Sequence, residues 1–250
     1  MKKNTLRKGF LGSKCEPRSS FKGFVMLVVM MLMTASTAMA QEVKFEVIDG
    51  LRYSLDTGTK TATLMPKTDG LYSGDIIIPE KVKGNDGVEY VVTLLGASCF
   101  SGCSGLTSIT IPPLVTSLSD CCFFSCSGLT SITIPSSVTS LGWWCFSYCS
   151  GLTSVTIPSS VTSLGYDCFS DCKNLETVYF KGKKCDSNYK DLKIPTTSII
   201  KVPKEYLQEY KEAFGSDYQY IFAWNPDEQE KITSQLLHVP LQPFLTNLEN

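Results

Sequence analysis

Histidine, positive charge in the central part of the chain and long apolar runs are all scarce in this sequence. The 250 residues include one histidine, His238. Residues 91–172 contain no lysine or arginine, and their acidic side chains are Asp120, Asp167 and Asp171. A marked apolar run, FVMLVVMMLM, begins at Phe24 and has ten residues. Each of these shortages narrows the functions that the chain can have.

The lone histidine argues against an enzyme. A serine or cysteine nucleophile needs a nearby base, and we expect His238 to be a solvent-exposed residue of the tail. Acid pairs such as Asp167 and Asp171 are expected to be solvated surface residues, so we do not expect them to act as the carboxylate pair of a glycosidase. We therefore predict no catalytic residue and no cofactor.

The short apolar run lies in a segment with the pattern of a secretory signal. Residues 1–23 carry seven basic side chains and one acidic one, the apolar run follows, and TASTAMA ends at Ala40. Ten residues are too few to span a bilayer, so we predict that residues 1–40 are a cleavable signal peptide. A retained signal anchor is the alternative. We expect export to the cell surface or medium, with the periplasm also open, and no transmembrane anchor in the mature chain.

Cleavage at that point changes the charge of the chain. Residues 1–40 hold seven of the 23 basic and one of the 24 acidic side chains, so 16 and 23 remain, a net charge near −7. Nucleic acid is disfavoured as a partner, because phosphate binding needs a basic patch.

A segment of 23 residues repeats along the centre of the chain. Aligned on their first leucine, the copies are LGASCFSGCSGLTSITIPPLVTS from Leu95, LSDCCFFSCSGLTSITIPSSVTS from Leu118, LGWWCFSYCSGLTSVTIPSSVTS from Leu141, and the shorter LGYDCFSDCKNLETVYFKG from Leu164. Each copy contains apolar residues at the spacing L-x-x-L-x-L, which is typical of a leucine-rich repeat. One copy cannot bury its apolar face alone, so neighbouring copies must stack.

The spacing predicts a short strand in each copy. Ile109 and Ile111 alternate with Ser108 and Thr110, so the aliphatic side chains point inward and the hydroxyls outward. Pro112 ends the strand, as the equivalent prolines do in the next copies, because proline has no N–H for a ladder. We predict a β-rich solenoid, a right-handed leucine-rich repeat coil.

The cysteines form two columns with the 23-residue period. The first is Cys99, Cys122, Cys145 and Cys168, and the second is Cys103, Cys126, Cys149 and Cys172. The favoured interpretation is a set of small buried residues that pack between coils. A disulfide ladder is the second interpretation, since the chain looks exported. Metal binding is the third, and we predict no metal site, because the chain lacks converging histidines.

The flanks of the repeats are predicted to close the ends of the stack. We divide the chain into a signal peptide (1–40), an N-terminal β cap (41–93), the repeats (94–182), a C-terminal strand and helix cap (183–225) and a loosely ordered tail (226–250). The N-terminal cap contains paired strands around Asp56 and a degenerate strand ending at Pro79. The C-terminal cap contains strand ends at Pro195 and Pro203 and an amphipathic helix.

Three segments resemble those of the BspA-like leucine-rich repeat proteins, which are common among exported proteins of anaerobic gut and oral bacteria. They are SGDIIIPEKV, the tandem CFxxCxxLTSITIPSSVTSL and KVPKEYLQEYKEAFGS, and the resemblance extends over residues 43–224. The family usually has alanine where this chain has Cys99 and its equivalents. The resemblance implies a non-catalytic surface or secreted protein that binds or adheres to other proteins, and it fixes no ligand. A carbohydrate-binding role is the alternative.

Two surfaces are candidates for the binding site. The first is the outward ladder of the repeat strands, formed by Ser108, Thr110, Ser131, Thr133, Ser154, Thr156, Thr177 and Tyr179. The second is an aromatic patch of Trp143 and Trp144, extended by Tyr148 and Tyr166. Asp120 and Asp167 stand at positions equivalent to the two tryptophans, so we expect both positions to be exposed. The alternative is that one indole folds back over the edge of the coil and packs there. Exposed tryptophan often dominates a binding energy, so we expect the patch to supply affinity and the ladder specificity.

Overall fold

The computed structural model describes residues 43–185 and 187–225. The predicted signal peptide, the predicted tail and His238 lie outside the described residues. Within those residues the chain forms fifteen strands and one α-helix. The elements are β1 (Val43–Ile48), β2 (Leu51–Asp56), β3 (Thr61–Leu64), β4 (Gly74–Ile77), β5 (Lys81–Lys83), β6 (Glu89–Leu95), β7 (Leu106–Thr110), β8 (Ser117–Leu118), β9 (Ser131–Thr133), β10 (Ser140–Leu141), β11 (Ser154–Ile157), β12 (Ser163–Leu164), β13 (Thr177–Phe180), β14 (Ile199–Pro203), α1 (Leu207–Phe214) and β15 (Ile221–Trp224).

Each central repeat contributes one strand to each of two columns of parallel strands. In the first column β9, β11, β13, β14 and β15 form a five-stranded sheet, and β7 pairs with β4 beside it. In the second column β6, β8, β10 and β12 pair in parallel. The register follows the sequence period, because Ser140 lies opposite Ser117 on one side and Ser163 on the other.

The alternation predicted for the repeat strands is confirmed. In β9, Ile132 is buried while Ser131 and Thr133 are exposed, and β7 and β11 bury their equivalent aliphatic residues. The chain leaves each strand at the proline, and Leu118, Leu141 and Leu164 then return to the core in the second column. The predicted strands of the repeat are therefore present, and the second-column strands β8, β10 and β12 are shorter, at two residues each.

Phenylalanine side chains run through the interior as a continuous stack. Phe100, Phe123, Phe146 and Phe169 are completely buried. Their ring centroids are 5.3, 5.3 and 5.7 Å apart, with neighbouring planes parallel to within 6°. Such offset stacks add to the free energy gained by burying the rings. Tyr72 packs against Phe100 on the N-terminal side, with the ring centroids 5.2 Å apart and the planes tilted by 53°.

The two cysteine columns are buried, as the favoured interpretation predicted. None of the eight cysteines in the columns is in a disulfide, and each side chain is at most 2% exposed. The second column also has a hydrogen-bonding role, since the thiols of Cys126 and Cys149 donate to the carbonyl oxygens of Phe100 and Phe123 at 3.1 and 3.0 Å. Cys172 continues the pattern with Phe146 at 3.0 Å. The disulfide ladder is therefore not formed.

Burial makes these thiols unreactive. Loss of solvation raises the pKa of Cys172 to about 12 and raises the pKa values of Cys122 and Cys145 well above the ordinary thiol value. Because the thiolate is the reactive form, the columns serve packing. Among the described residues, no cluster of three or more His, Cys, Asp or Glu side chains has an arrangement that would hold a metal ion.

Replacing a cysteine by serine tests the structural role of the columns. Cys145→Ser is expected to lower the free energy of unfolding by about 1–3 kcal/mol, because a hydroxyl is costly to bury without a good partner. Cys149→Ser should cost less, since its hydroxyl can take over the bond to the carbonyl of Phe123. Urea unfolding measures both values. A chelator should leave the unfolding curve of the parent unchanged, and a loss of stability on chelation would instead indicate a metal.

The segment before the repeats is built largely as predicted. β2 and β3 pair in antiparallel fashion on either side of the turn at residues 57–60, and β5 and β6 form a second antiparallel pair. The degenerate strand before Pro79 is β4, which lies parallel to β7.

The segment after the repeats differs from the prediction in two respects. The amphipathic helix is present as α1, with Tyr210 and Phe214 buried. However, no strand ends at Pro195: Ile194 is buried in an irregular segment after a 3₁₀ turn at Tyr189–Leu192. The sequence analysis also missed β15, which pairs in parallel with β14 and extends the first column.

The close approach of neighbouring coils leads to a second prediction, which concerns two glycines at the same repeat position. A β-carbon at Gly151 would clash with the carbonyl oxygen of Ser127, whereas one at Gly105 would meet only Ser73, whose side chain is 3.2 Å away. We expect Gly151→Ala to cost about 1–3 kcal/mol through overpacking and Gly105→Ala to change stability by less than about 0.5 kcal/mol. Equal losses in thermal unfolding would contradict this spacing.

Candidate binding surfaces

The hydroxyl ladder predicted from the sequence lies on the outward side of the first strand column. Ser108, Thr110, Ser131 and Thr133 are exposed, and the four later members, Ser154, Thr156, Thr177 and Tyr179, are half-buried. The first position is already engaged within the chain, since the Ser108 and Thr107 hydroxyls donate to the Asp75 carboxylate at 2.6 and 2.7 Å. These two hydrogen bonds hold the pKa of Asp75 below its usual range.

Towards the C-terminal end of this column, the outward side chains change from hydroxyl-bearing to aromatic and basic. Thr156 in β11 pairs with Tyr179 in β13. On the next two strands, Tyr179 pairs with Lys201 in β14, and Lys201 pairs with Phe222 in β15. The Tyr179 ring packs edge-on against Trp224, with centroids 5.0 Å apart, and Lys201 lies 5.4 Å from the centroid of Phe222. Sequence reasoning missed Phe222 and Trp224, although the apolar run IFAW was a signal for a further strand.

The two tryptophans lie in the turn that follows β10, away from the first strand column. In this turn each repeat is linked to the next by a backbone hydrogen bond: Cys121 donates to the carbonyl of Trp143 at 2.8 Å, and Trp144 donates to that of Tyr166 at 3.0 Å. The link places Asp120, the two tryptophans, Tyr166 and Asp167 side by side on three successive coils. We call this group the aromatic corner: Asp120, Trp143, Trp144, Tyr166 and Asp167.

The aromatic rings of the corner are arranged around Trp144. The Trp143 and Tyr166 rings each lie nearly perpendicular to the Trp144 ring, at 84°, with centroids 6.2 and 6.3 Å from it. Trp143 is 41% and Tyr166 is 46% exposed, while Trp144 is half-buried between them. The two exposed rings therefore present apolar area to solvent, and Trp144 supports them.

This burial corrects one expectation from the sequence. The column that contains Trp143 is exposed in every repeat, at Ala97, Asp120 and Tyr166 as well. The column that contains Trp144 is not, because Cys121 is buried and Asp167 is half-buried. An aspartate at a repeat position therefore did not predict exposure for both tryptophans, because the second column turns towards the neighbouring coil.

Two carboxylates flank the rings. Asp120 accepts a hydrogen bond from the backbone N–H of Trp143 at 2.8 Å, and Asp167 accepts one from the Trp144 indole N–H at 3.3 Å. The other carboxylate oxygen of Asp167 is buried without a hydrogen-bond partner. Burial raises the pKa of Asp167, an effect that the Trp144 indole and Lys193 oppose and that Asp191 and Asp171 reinforce.

The backbone of the corner adopts a conformation that bulky side chains normally avoid. Ser98, Cys121, Trp144 and Asp167 all have left-handed backbones, with φ between 53° and 56°. This conformation turns each N–H towards the next coil, and it is disfavoured for large side chains by about 1–2 kcal/mol. A tryptophan at such a position is strained, and strain of this kind clusters at functional sites.

Tyr148 stands in a second left-handed column, with a φ of 61°, where other repeats have Gly102, Ser125 and Asp171. It is 50% exposed, and its ring packs against Phe124 with centroids 5.3 Å apart. The structure therefore joins Tyr166 to the tryptophans through ring contacts and places Tyr148 beside Phe124, on the later part of the turn.

The interior offers little space for a ligand at the C-terminal end of the repeats. A cavity of about 10 Å³ lies between Ile157, Phe180, Tyr189 and Tyr210. It has the volume of about one water molecule. This cavity is therefore too small for a ligand larger than water. The structure also contains, among the residues described, no helix whose length and hydropathy would let it cross a membrane.

The repeats match a known family. Residues 88–207 match the model of the BspA type leucine rich repeat region in six copies. The resemblance inferred from the sequence is thereby confirmed, and the repeats have the leucine-rich repeat fold. The six copies extend past the four that the sequence alignment identified, as β14 also does. No curated protein matches the chain.

Several solved structures are similar to this chain. A leucine-rich repeat protein from Bacteroides capillosus is 26% identical over 55% of this chain and 99% of that protein, with a TM-score of 0.49. A leucine rich cell surface protein from Faecalibacterium prausnitzii is 23% identical over 72% of this chain and 54% of that one, with a TM-score of 0.46. The pneumococcal vaccine antigen PcpA is 20% identical, with 72% and 48% covered and a TM-score of 0.53. The similarity to PcpA is one of fold, and this chain spans about half of PcpA.

Proposed function

Because residues 88–207 form a BspA-type leucine-rich repeat region, we propose that the protein is an exported, non-catalytic module that binds or adheres to another protein at the bacterial cell surface. The observation that carries the proposal is the aromatic corner. There Trp143 and Tyr166 are exposed on either side of a tryptophan held in a strained backbone conformation. Folding alone gives no reason to place three large rings there.

The energetics of the corner favour binding over packing. Trp144 has the left-handed backbone that the smaller residues Ser98, Cys121 and Asp167 have in the other repeats, while Trp143 leaves much of its indole in water. Tryptophan and tyrosine bury a large area with little loss of side-chain entropy, which is why they dominate many interfaces. A partner that covers these rings buries apolar area that the fold leaves in water, and this burial favours binding.

The architecture suits such a role. We infer that the strand columns wind as a right-handed solenoid, with residues 41–93 and 183–225 as caps at its two ends. Stacked repeats present surfaces longer than any single repeat. In this arrangement the aromatic corner supplies affinity, and the hydroxyl ladder of Ser131, Thr133 and their equivalents offers short polar contacts for specificity.

A glycan is the second candidate ligand. The exposed faces of Trp143 and Tyr166 suit stacking against the apolar face of a sugar ring, and the hydroxyl ladder suits contacts with sugar hydroxyls. To separate the two ligand classes, the purified protein is applied in parallel to immobilised extracellular-matrix and bacterial surface proteins and to a polysaccharide array. Saturable binding to a protein surface supports the proposal, and binding confined to polysaccharides replaces it with the glycan alternative. Saturable binding to neither class contradicts both.

Export makes a separate prediction. If residues 1–40 are a cleaved signal peptide, mature protein recovered from the envelope or medium begins at Gln41. N-terminal sequencing of that protein gives the answer. Protein found in the cytoplasm with an intact Met1 would contradict the surface location.

A further inference from the structure

The aromatic corner combines exposed rings with negative charge. Asp120 lies beside Trp143, and Asp167 lies beside Trp144. Residues 91–172 contain no lysine or arginine that would neutralise these carboxylates, and Lys193 is the positive charge that acts on Asp167. The charge of the corner therefore selects among ligands that its rings alone would accept.

We propose that the aromatic corner binds positively charged side chains of a partner protein, arginine foremost. This inference rests on the proposed binding function and names the chemistry that the partner presents. A guanidinium group stacks on the face of an aromatic ring and at the same time donates paired hydrogen bonds to a carboxylate. The corner offers both kinds of group on three adjacent coils.

The state of Asp167 supports a cationic ligand over a neutral one. Asp167 is half-buried, and both this burial and the nearby carboxylates of Asp191 and Asp171 raise its pKa and disfavour its ionised form. A donor that carries positive charge compensates such a group better than a neutral hydroxyl does. The same reasoning favours arginine over a sugar, because a sugar supplies hydroxyl donors but no charge.

A pair of synthetic peptides tests the inference directly, in place of the natural partner. The probes are a dye-labelled dodecapeptide of four Arg-Gly-Ser units and the same peptide with every arginine replaced by citrulline, which keeps the shape and removes the charge. Fluorescence anisotropy with the full-length protein measures both dissociation constants. We expect the arginine peptide to bind at least about tenfold more tightly than the citrulline peptide.

Variants locate the binding. Asp120→Asn with Asp167→Asn should weaken the arginine peptide about tenfold and leave the citrulline peptide unchanged. The matched control, Asp69→Asn with Glu80→Gln, makes the same change in charge at exposed sites outside the repeats and should change binding less than twofold. Trp143→Ala with Trp144→Ala should remove binding of the arginine peptide.

The results that would contradict the inference each have a different meaning. Equal affinity for the two peptides means that charge is not recognised, and a loss with the control variant means that only the overall negative charge attracts the probe. Binding of neither peptide, or displacement of the arginine peptide by neutral cellohexaose, also overturns it. The proposed binding function fails separately, when the protein surfaces and the polysaccharide array both fail to bind the parent protein.

Discussion

Phe146→Ala is expected to lower the free energy of unfolding by about 3–5 kcal/mol. The Phe146 ring is completely buried and stacks between Phe123 and Phe169, with centroids 5.3 and 5.7 Å away. Its removal opens a cavity in the middle of the stack and breaks two ring contacts at once. Since small proteins are stable by about 5–15 kcal/mol in all, much of the stability is at stake. Urea unfolding followed by circular dichroism measures the change.

The control for this variant lies two residues further along the chain. Tyr148→Ala removes a ring of similar size, but that ring is half exposed and sits on a left-handed backbone. We expect its loss to cost less than about 1 kcal/mol. A small effect of Phe146→Ala, or equal effects of the two substitutions, would contradict the account in which stacked phenylalanines hold neighbouring coils together.

The second large effect concerns binding. Trp143→Ala with Trp144→Ala is expected to abolish capture of the partner protein found in the surface screen, by a factor of about one hundred or more. Loss of aromatic residues at the centre of an interface commonly costs about 2 kcal/mol or more for each residue. Stability should fall by only about 1 kcal/mol, because Trp143 is exposed to solvent and Trp144 is only half-buried. Surface plasmon resonance and thermal unfolding measure the two quantities.

A matched variant distinguishes the corner from the hydroxyl ladder. Ser131→Ala with Thr133→Ala removes two exposed hydroxyls from the first strand column and should weaken binding less than the tryptophan variant does. An unfolded tryptophan variant would mean that the indoles belong to the core. Normal capture by a folded variant would move the site to the ladder.

The repeating part of the fold could be predicted from the sequence because its physics is local and periodic. The alternation around Ile132 predicts a strand with one buried face, and the 23-residue spacing predicts which strands become neighbours. The cysteine columns were also predictable, because a residue that recurs with the packing period is part of the packing.

The parts that escaped prediction depend on contacts between coils. β15 pairs with β14 although Trp224 stands opposite Pro203, at the register position of the proline, so the 23-residue period does not predict this strand. The left-handed backbone of Trp144 was hidden as well, since propensities assign that conformation to glycine, asparagine and aspartate. Asp167, at the equivalent position one repeat later, was the available signal.

The candidate site was only half predictable for the same reason. Composition and exposure rules identified the tryptophan pair and Tyr166. They did not show that Trp144 would be half-buried, because that depends on its perpendicular contacts with Trp143 and Tyr166 one coil on. They also gave no indication that Asp167 would hold the indole N–H, since the two residues are 23 positions apart.

The three tryptophans of the chain allow the binding surface to be located directly. Trp143 and Trp144 belong to the aromatic corner, whereas Trp224 packs against Tyr179 at the far end of the hydroxyl ladder. The measurement is a ¹H–¹⁵N spectrum of the indole groups, recorded with and without the captured partner. The account predicts that the indole signals of Trp143 and Trp144 shift or broaden and that the signal of Trp224 stays in place. A shift confined to Trp224 would place the partner on the strand ladder and contradict the aromatic corner as the binding site.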